Sequence, residues 1–286
     1  MILHSDITNN KVKSGLYIVS TPIGNLQDIT IRAIEVLKLS YYILAESSVR
    51  SSRLLNEYNL NKRIVTFNKD NEKRKIKGVM EDLSNGLNIC LISDAGTPSI
   101  SDPGYELTRC IEPSVNIVPI PGPSSLTAAL SVSKIPINKF MFLGFLSKKQ
   151  KEREKQLLII KDTSLPAVVF ESKHRIVSLL RDIRDTLGPD IQIAVMRELT
   201  KLHEEIYHDT ASNLLEKFSE NMLSGEITMI IGVPISHAIN MNNFDKQIIE
   251  LSKKHSASEI VNIIRLFNDV NKKELYKYVL KIRQSG

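Results

Sequence analysis

Cysteine is nearly absent from this 286-residue chain: Cys90 and Cys110 are the only two. That is too few for a disulfide framework, and they are too far apart for a C-x-x-C metal or redox pair. Cys90 lies in an apolar run and reads as a small buried hydrophobe. No stretch approaches the ~18 uninterrupted apolar residues of a membrane-spanning helix. The opening Met1 to Ser14 is polar and lacks the apolar core of a secretory signal. These absences point to a cytoplasmic protein with no membrane partner. There is no fixed-period repeat, so collagen, coiled-coil and low-complexity architectures are excluded. With 42% hydrophobic and 24% charged residues, the chain is an ordinary globular one, long enough for about two domains.

The common nucleotide and metal signatures are missing as well. No G-x-x-x-x-G-K-[ST] occurs, and no G-x-G-x-x-G follows a β-rich run, which sets aside P-loop ATP binding and Rossmann-type NAD binding. The six histidines are scattered. His203 and His208 are one residue too far apart for H-E-x-x-H, and on a helix their separation turns the side chains about 140° from each other. No metal is expected.

What is present is an alternation of β-rich and helical runs. Strands are predicted at 16–20, 41–45, 63–67, 89–93 and 116–120, with helices at 31–39, 51–58, 72–85, 105–112 and 124–132. Such alternation produces parallel sheets with crossover helices. Ser124, after Pro-Gly-Pro, is a suitable N-cap. The aperiodic segment 133–139 marks a boundary. A second α/β unit follows, with strands at 140–145, 167–170, 192–196 and 227–233 and helices at 149–161, 174–187 and 211–221. The remainder is helical. Ser256-Ala257-Ser258-Glu259 and Asn271-Lys272-Lys273-Glu274 each have capping-box spacing and predict two short helices. The expected architecture is therefore α/β: one α/β domain over 1–135, a second over 136–238, and a small helical module over 239–286.

Charge is concentrated in that module. Residues 246–286 hold nine Lys/Arg against four acids, so the tail carries nearly all of the net +6, and smaller basic bursts stand at 73–77 and 148–155. A polyanionic partner fits this distribution, and so do solvated helix faces.

Three Pro/Gly-rich loops each follow a predicted strand of the first domain. They are Thr21-Pro22-Ile23-Gly24-Asn25; Ser93-Asp94-Ala95-Gly96-Thr97-Pro98, running on to Ser101-Asp102-Pro103-Gly104; and Pro121-Gly122-Pro123-Ser124-Ser125. In a parallel sheet the carboxyl ends of the strands face one crevice, where ligands bind. Gly lets backbone groups reach a ligand, and Pro fixes the approach. In one such loop an Asp merely stabilises a turn; three in register describe a binding site.

Taken with Phe170-Glu171-Ser172-Lys173-His174-Arg175 and Arg197-Glu198-Leu199-Thr200-Lys201-Leu202-His203-Glu204-Glu205, these loops resemble the tetrapyrrole methylase superfamily. Within it they are similar to the bacterial branch that 2′-O-methylates a cytidine of 16S rRNA. The likeness runs over about 15–233, and the basic tail resembles that branch's extra C-terminal module. Any one motif is weak; all of them in this order are specific. The resemblance implies two α/β domains with S-adenosylmethionine in the cleft between them. It also implies a homodimer, and 16S rRNA or the small ribosomal subunit, at its decoding region, as partner. It places the cofactor against Pro22, Asp94, Ala95, Gly96, Thr97, Ser124, Ser125, Phe170, Leu199 and the segment after Ile231. Backbone donors and acceptors suit adenine and the methionine carboxylate, and Asp94 suits the cationic sulfonium.

Two segments depart from the family pattern. Where members carry A-E-D-T-R, this chain has Ala45-Glu46-Ser47-Ser48-Val49-Arg50, with the Arg displaced by one position. At about 100° per residue, a continuous helix would aim Arg50 elsewhere. Asn68-Lys69-Asp70-Asn71-Glu72 lacks the family's His. Both departures bear on RNA contacts and spare the cofactor loops. The RNA-binding candidates are Glu46, Arg50 and Lys201 and, in the tail, Lys272, Lys273 and Lys277. A ribose 2′-hydroxyl needs a proton acceptor as its oxygen attacks a methyl group, and Asp94, His203 and Glu204 are the catalytic candidates. Glu171, His174 and Arg175 read as opening a helix, where a Glu is favourable through the helix dipole alone. Two rivals stand beside RNA methylation: methylation of a tetrapyrrole ring carbon, and a non-catalytic methylase homologue that binds RNA.

Overall fold

A computed structural model describes residues 13–220, 224–234, 244–267, 270 and 272–285. The chain forms two compact units, one ending at Val233 and the other beginning at Pro234.

The large unit holds two five-stranded sheets. In the first, β1 (Gly15–Val19), β2 (Tyr42–Ala45), β3 (Ile64–Thr66), β4 (Asn88–Ile92) and β5 (Ile117–Ile120) pair in the order β3-β2-β4-β1-β5, all parallel. The strand Tyr42-Ile43-Leu44-Ala45 is buried throughout, as a sheet covered on both faces requires. Helices α1 (Ile31–Leu39) and α2 (Ser48–Glu57) cover one face through Ala33, Val36, Leu37 and Leu55. Helices α3 (Glu72–Ser84) and α4 (Tyr105–Cys110) cover the other through Val79, Leu83 and Leu107.

A fifth helix, α5 (Ser125–Val132), leads to the second sheet. There β6 (Met141–Phe145), β7 (Ala167–Ser172), β8 (Gln192–Arg197), β9 (Glu205–Thr210) and β10 (Glu226–Ile231) pair in the order β6-β7-β10-β8-β9. The β6–β7 pair is parallel and the others are antiparallel. β9 is a strand that the sequence pattern does not announce: an edge strand with no fully buried residue, it offers no apolar alternation to read. Successive residues of the inner strands face opposite layers, the period of two that a strand imposes. Val169, Val195 and Met229 face α6 (Gln150–Thr163), α7 (Ile176–Leu187) and α8 (Ala211–Glu220), while Val168, Ala194 and Ile230 face Ala129 and Leu130 of α5. Thus α5, which follows the last strand of the first sheet, packs on the second. The two expected domains, divided at 135/136, share one compact unit.

α7 shows how sequence spacing makes these layers. Ile176, Leu179, Leu180, Ile183 and Leu187 are all buried, at i, i+3, i+4, i+7 and i+11. Each such Leu or Ile contributes about 1.5–3 kcal/mol by leaving water. The helix begins at Ile176, later than the expected 174, because Glu171 still belongs to β7 and its buried carboxylate pairs with Arg175 at 3.3 Å. The segment is a strand-to-helix turn, so the dipole argument for Glu171 does not apply. Asn221, the expected end of α8, lies outside the described residues.

The small unit contains α9 (Asp245–Ser252), α10 (Ala257–Phe267) and α11 (Lys272–Ser285), one helix more than the two expected. They enclose their own core, which includes Ile248, Ile260, Ile264, Leu275 and Val279. The Ser256 capping box forms: its N–H donates to Glu259 Oε2 at 2.8 Å, and its Oγ accepts from the Glu259 N–H at 3.4 Å. Asn271 and the 238/239 boundary lie outside the described residues. Among those residues no helix is long and apolar enough to cross a membrane.

Candidate functional site

The three Pro/Gly loops leave adjacent strands β4, β1 and β5 and are hydrogen-bonded into one body. Thr21 and Gly96 exchange backbone bonds of 2.9 and 3.0 Å. Thr97 Oγ1 lies 2.9 Å from Ser20 Oγ and donates to the Pro123 carbonyl at 3.3 Å. Gly96 sits at φ +80°, where a side chain is strained, and a Cβ there would come within 3.3 Å of Ile23. Ser124 is in the N-cap position of α5, but its side chain makes no capping bond.

The second sheet closes the other side of this crevice. Phe170, within β7, is in edge-to-face contact with Phe142 and Phe145, at 5.1 and 5.7 Å between centroids. After β8, Glu198 and Thr200 take left-handed backbone angles of +51° and +66°, unusual for residues with side chains. Three hydrogen bonds hold this turn. Glu198 Oε1 accepts from the Glu226 N–H at 2.8 Å and from Lys201 Nζ at 2.9 Å, and Thr200 Oγ1 accepts from the Asn25 N–H of the first loop at 3.1 Å. Burial pushes the Glu198 carboxyl up, but the bonds from Glu226 and Lys201 outweigh it and hold the group below its ordinary range.

Between the halves lies a cleft of about 840 Å³. Of the residues expected to hold a cofactor, Asp94, Ala95, Gly96, Thr97, Ser124, Ser125, Phe170 and Leu199 all line it. Pro22 lines a smaller cavity of about 500 Å³ that abuts the cleft and shares Ile23, Arg50, Asp94, Ala95 and Glu226 with it. Of the expected RNA contacts in this unit, Glu46 and Arg50 line the cleft and Lys201 the smaller cavity. His203 and Glu204 line neither: His203 is exposed, and Glu204 Oε2 accepts from the Thr200 N–H at 2.6 Å. Lys272, Lys273 and Lys277 are exposed on α11, in the other unit.

One wall of the cleft is acidic. Burial, with the neighbouring Asp94 charge second, raises the Glu46 carboxyl above its ordinary value. Asp102, which belongs to the second Pro/Gly loop but is not among the expected site residues, is pushed up to about 6 by burial and then by the Glu46 charge. Asp94 is better compensated. The Ser47 N–H donates to its Oδ1 at 3.1 Å, and Arg50 reaches its Oδ2 at 3.2 Å. The expected misdirection of Arg50 therefore does not occur. Ser47 is extended (φ −118°, ψ 116°) and caps the N–H of Arg50, so the helix starts only at Ser48. Val49 and Arg50 both lie inside that helix, one 100° step apart, and it is Arg50 that points at Asp94. Val49, which stands where the family Arg would, is exposed instead. Among the described residues no group of His, Cys, Asp and Glu is placed to hold a metal ion.

The fold and this cleft have known counterparts. Residues 15–215 match the family described as Tetrapyrrole (Corrin/Porphyrin) Methylases. A "Ribosomal RNA small subunit methyltransferase I" of Thermotoga maritima is 42% identical over 217 residues, 76% of this chain and 97% of that protein. A quarter of this chain thus lies outside the match to that relative. Proteins of the same name from Buchnera aphidicola subsp. Acyrthosiphon pisum and from Escherichia coli O157:H7 are 38% and 37% identical, each covering 93% of this chain and 96% and 94% of their own length. The methyltransferase CobJ shares the fold at 16% identity, with a TM-score of 0.59 over 77% of this chain and 94% of its own. A cobalt precorrin-4 methyltransferase shares it at 16% identity and a TM-score of 0.55, over 76% and 94%. The chain belongs to the tetrapyrrole methylase family, in the group of ribosomal RNA small subunit methyltransferase I.

Proposed function

We propose that this protein methylates the ribose 2′-oxygen of a cytidine in the decoding region of 16S rRNA, working in the cytoplasm as a homodimer. The observation that carries the reading is the cleft itself, with an acidic wall of Glu46, Asp94 and Asp102 facing an apolar side of Phe170, Met196 and Leu199. Relatives 37–42% identical are named for small-subunit ribosomal RNA, whereas the structures that act on tetrapyrroles share 16% identity and only the fold. That contrast supports RNA over a porphyrin-like ring.

S-adenosylmethionine is the cofactor of the family, and when bound it supplies an electrophilic methyl group on a positively charged sulfur. The residues present fit it. Phe170, Met196, Leu199 and Ile227 offer an apolar surface to adenine. The uncommitted Ser124 hydroxyl and the free N–H groups opening α5 suit a carboxylate. The acidic wall suits a cation.

The protein's main task in an in-line transfer is to hold the two reacting groups in near-attack geometry. Asp94 faces both cavities and accepts the 2′-hydroxyl proton; bonded to Ser47 and Arg50, its carboxylate still has unused lone pairs. His203 and Glu204, which line neither cavity, take no part in this scheme. The exposed Lys272, Lys273 and Lys277 contribute phosphate contacts, while Lys201, paired with Glu198 and Glu226, holds the turn after β8.

The test follows tritium from the labelled cofactor into small-subunit rRNA of a strain lacking the activity, with nuclease mapping of the labelled nucleotide. Label at a single cytidine ribose is the expected result. Label in a tetrapyrrole precursor, or in no RNA, overturns the proposal.

A further inference from the structure

We infer that the smaller cavity is a subsite for an RNA backbone phosphate next to the target ribose, and that Arg53 is the residue that binds it. At about 500 Å³ it falls within the ~300–1,000 Å³ of small-ligand sites. It opens directly onto the cleft along Arg50, Asp94 and Ala95, so an occupant would lie beside the methyl-transfer site.

One face of α2 forms its wall. Arg50, Arg53, Leu54 and Glu57 all line it, at i, i+3, i+4 and i+7. Most of the charges in the cavity are already neutralised. Arg50 is paired with Asp94 at 3.2 Å, and Lys201 with Glu226 at 2.9 Å. Arg53 is exposed and has no carboxylate partner among the described residues. Glu57 follows one turn later, but an Arg preceding an acid is the weaker orientation on a helix, and no ion pair forms between them.

An uncommitted guanidinium beside a transfer site is suited to a phosphate, which its planar fork can grip with two hydrogen bonds. Leu26, 41% exposed on the facing loop, and Leu54 give the cavity an apolar side for the sugar or base of the same nucleotide. A free anion would need the charge alone; charge, apolar wall and adjacency to the cleft together fit a nucleotide in a chain.

The inference rests on the rRNA reading above, and its test separates the two. Methyl transfer to small-subunit rRNA lacking the modification is measured for the wild-type protein and for Arg53→Ala, Arg53→Lys and Glu57→Gln, with S-adenosylhomocysteine affinity followed by calorimetry. Arg53→Ala should raise KM for RNA about fivefold to tenfold, the effect of removing one charge-assisted interaction, with kcat and S-adenosylhomocysteine affinity kept. The slope of log affinity against log salt should become shallower by about 0.7. Arg53→Lys, which keeps the charge and loses the fork, should restore the salt slope and only part of the affinity, and Glu57→Gln, by removing a repulsive charge, should lower KM about twofold. A wild-type protein that methylates rRNA beside an Arg53→Ala variant with unchanged KM and salt slope overturns the subsite and leaves the function standing. Loss of S-adenosylhomocysteine affinity in both Arg53 variants also overturns it, by making the residue structural. A wild-type protein that transfers no label to rRNA removes both.

Discussion

Gly24 and Lys201 approach so closely that the first has no room for a side chain: a Cβ there would overlap Lys201 Cγ and lie 2.9 Å from Thr200 Oγ1 and 3.0 Å from the Leu199 carbonyl. The two residues come from the loop after β1 and the turn after β8, so their contact joins the sheets at the wall of the smaller cavity. Gly24→Ala should force the turn outward, lower stability by about 1–3 kcal/mol and weaken S-adenosylhomocysteine binding. Thermal unfolding and calorimetry on the variant check this; unchanged values for both would show that the turn yields without cost.

Gly96 is the second glycine with a demanding place. At φ +80°, with Ile23 3.3 Å from a Cβ, Gly96→Val combines backbone strain with crowding of the loop that lines the cleft. We expect at least a tenfold loss of cofactor affinity, with circular dichroism showing the fold retained. Unchanged calorimetric affinity would remove this loop from the cofactor site.

Asp102 gives a pH prediction. Its carboxyl is raised from 3.8 to about 6 by burial first and by Glu46 second. Below about pH 4 it is protonated both folded and unfolded and costs nothing. Between about 4 and 6 the unfolded chain releases a proton that the native state keeps, so this group's contribution to stability falls as pH rises, then levels off. Discounted for partial exposure, the loss is on the order of 1–2 kcal/mol. Asp102→Asn should match the wild-type protein near pH 4 and exceed it by that amount at pH 7.5, measured by urea unfolding. Parallel stability curves would refute the assignment.

The small unit carries the last prediction. Its core includes Leu275 and Val279, and Lys272, Lys273 and Lys277 remain exposed on α11. Deleting 234–286 should keep S-adenosylhomocysteine affinity, weaken rRNA binding and reduce the salt slope by about 0.7–0.9 for each phosphate that is no longer neutralised. A stable truncated protein with an unaltered slope would assign those lysines to solvation.

Much of this was legible in order along the chain. Strands β1, β2, β4 and β5 are short apolar runs, three of which end in Pro/Gly loops, and a parallel sheet has no option but to gather such loops at one edge. The amphipathic spacing of α7 and the Ser256–Glu259 cap depend on neighbours three or four residues away, which sequence displays directly. Hence the fold class and eight of the residues that line the cleft were within reach of pattern and resemblance.

The rest depended on contacts between distant segments. β9 is recognisable only once β8 lies beside it, because a half-exposed edge strand carries no hydrophobic period. α5 joins the second sheet because Ala129 and Leu130 find Val168, Ala194 and Ile230, residues far along the chain. Arg50 reaches Asp94 because α2 starts at Ser48 beside the loop after β4, which delivers the carboxylate from 44 residues away. The raised Asp102 carboxyl and the uncommitted charge of Arg53 follow from which groups lie within a few ångströms in space. Local periodicity is set by the backbone; burial and charge pairing are set by the packed neighbours that only the folded chain brings together.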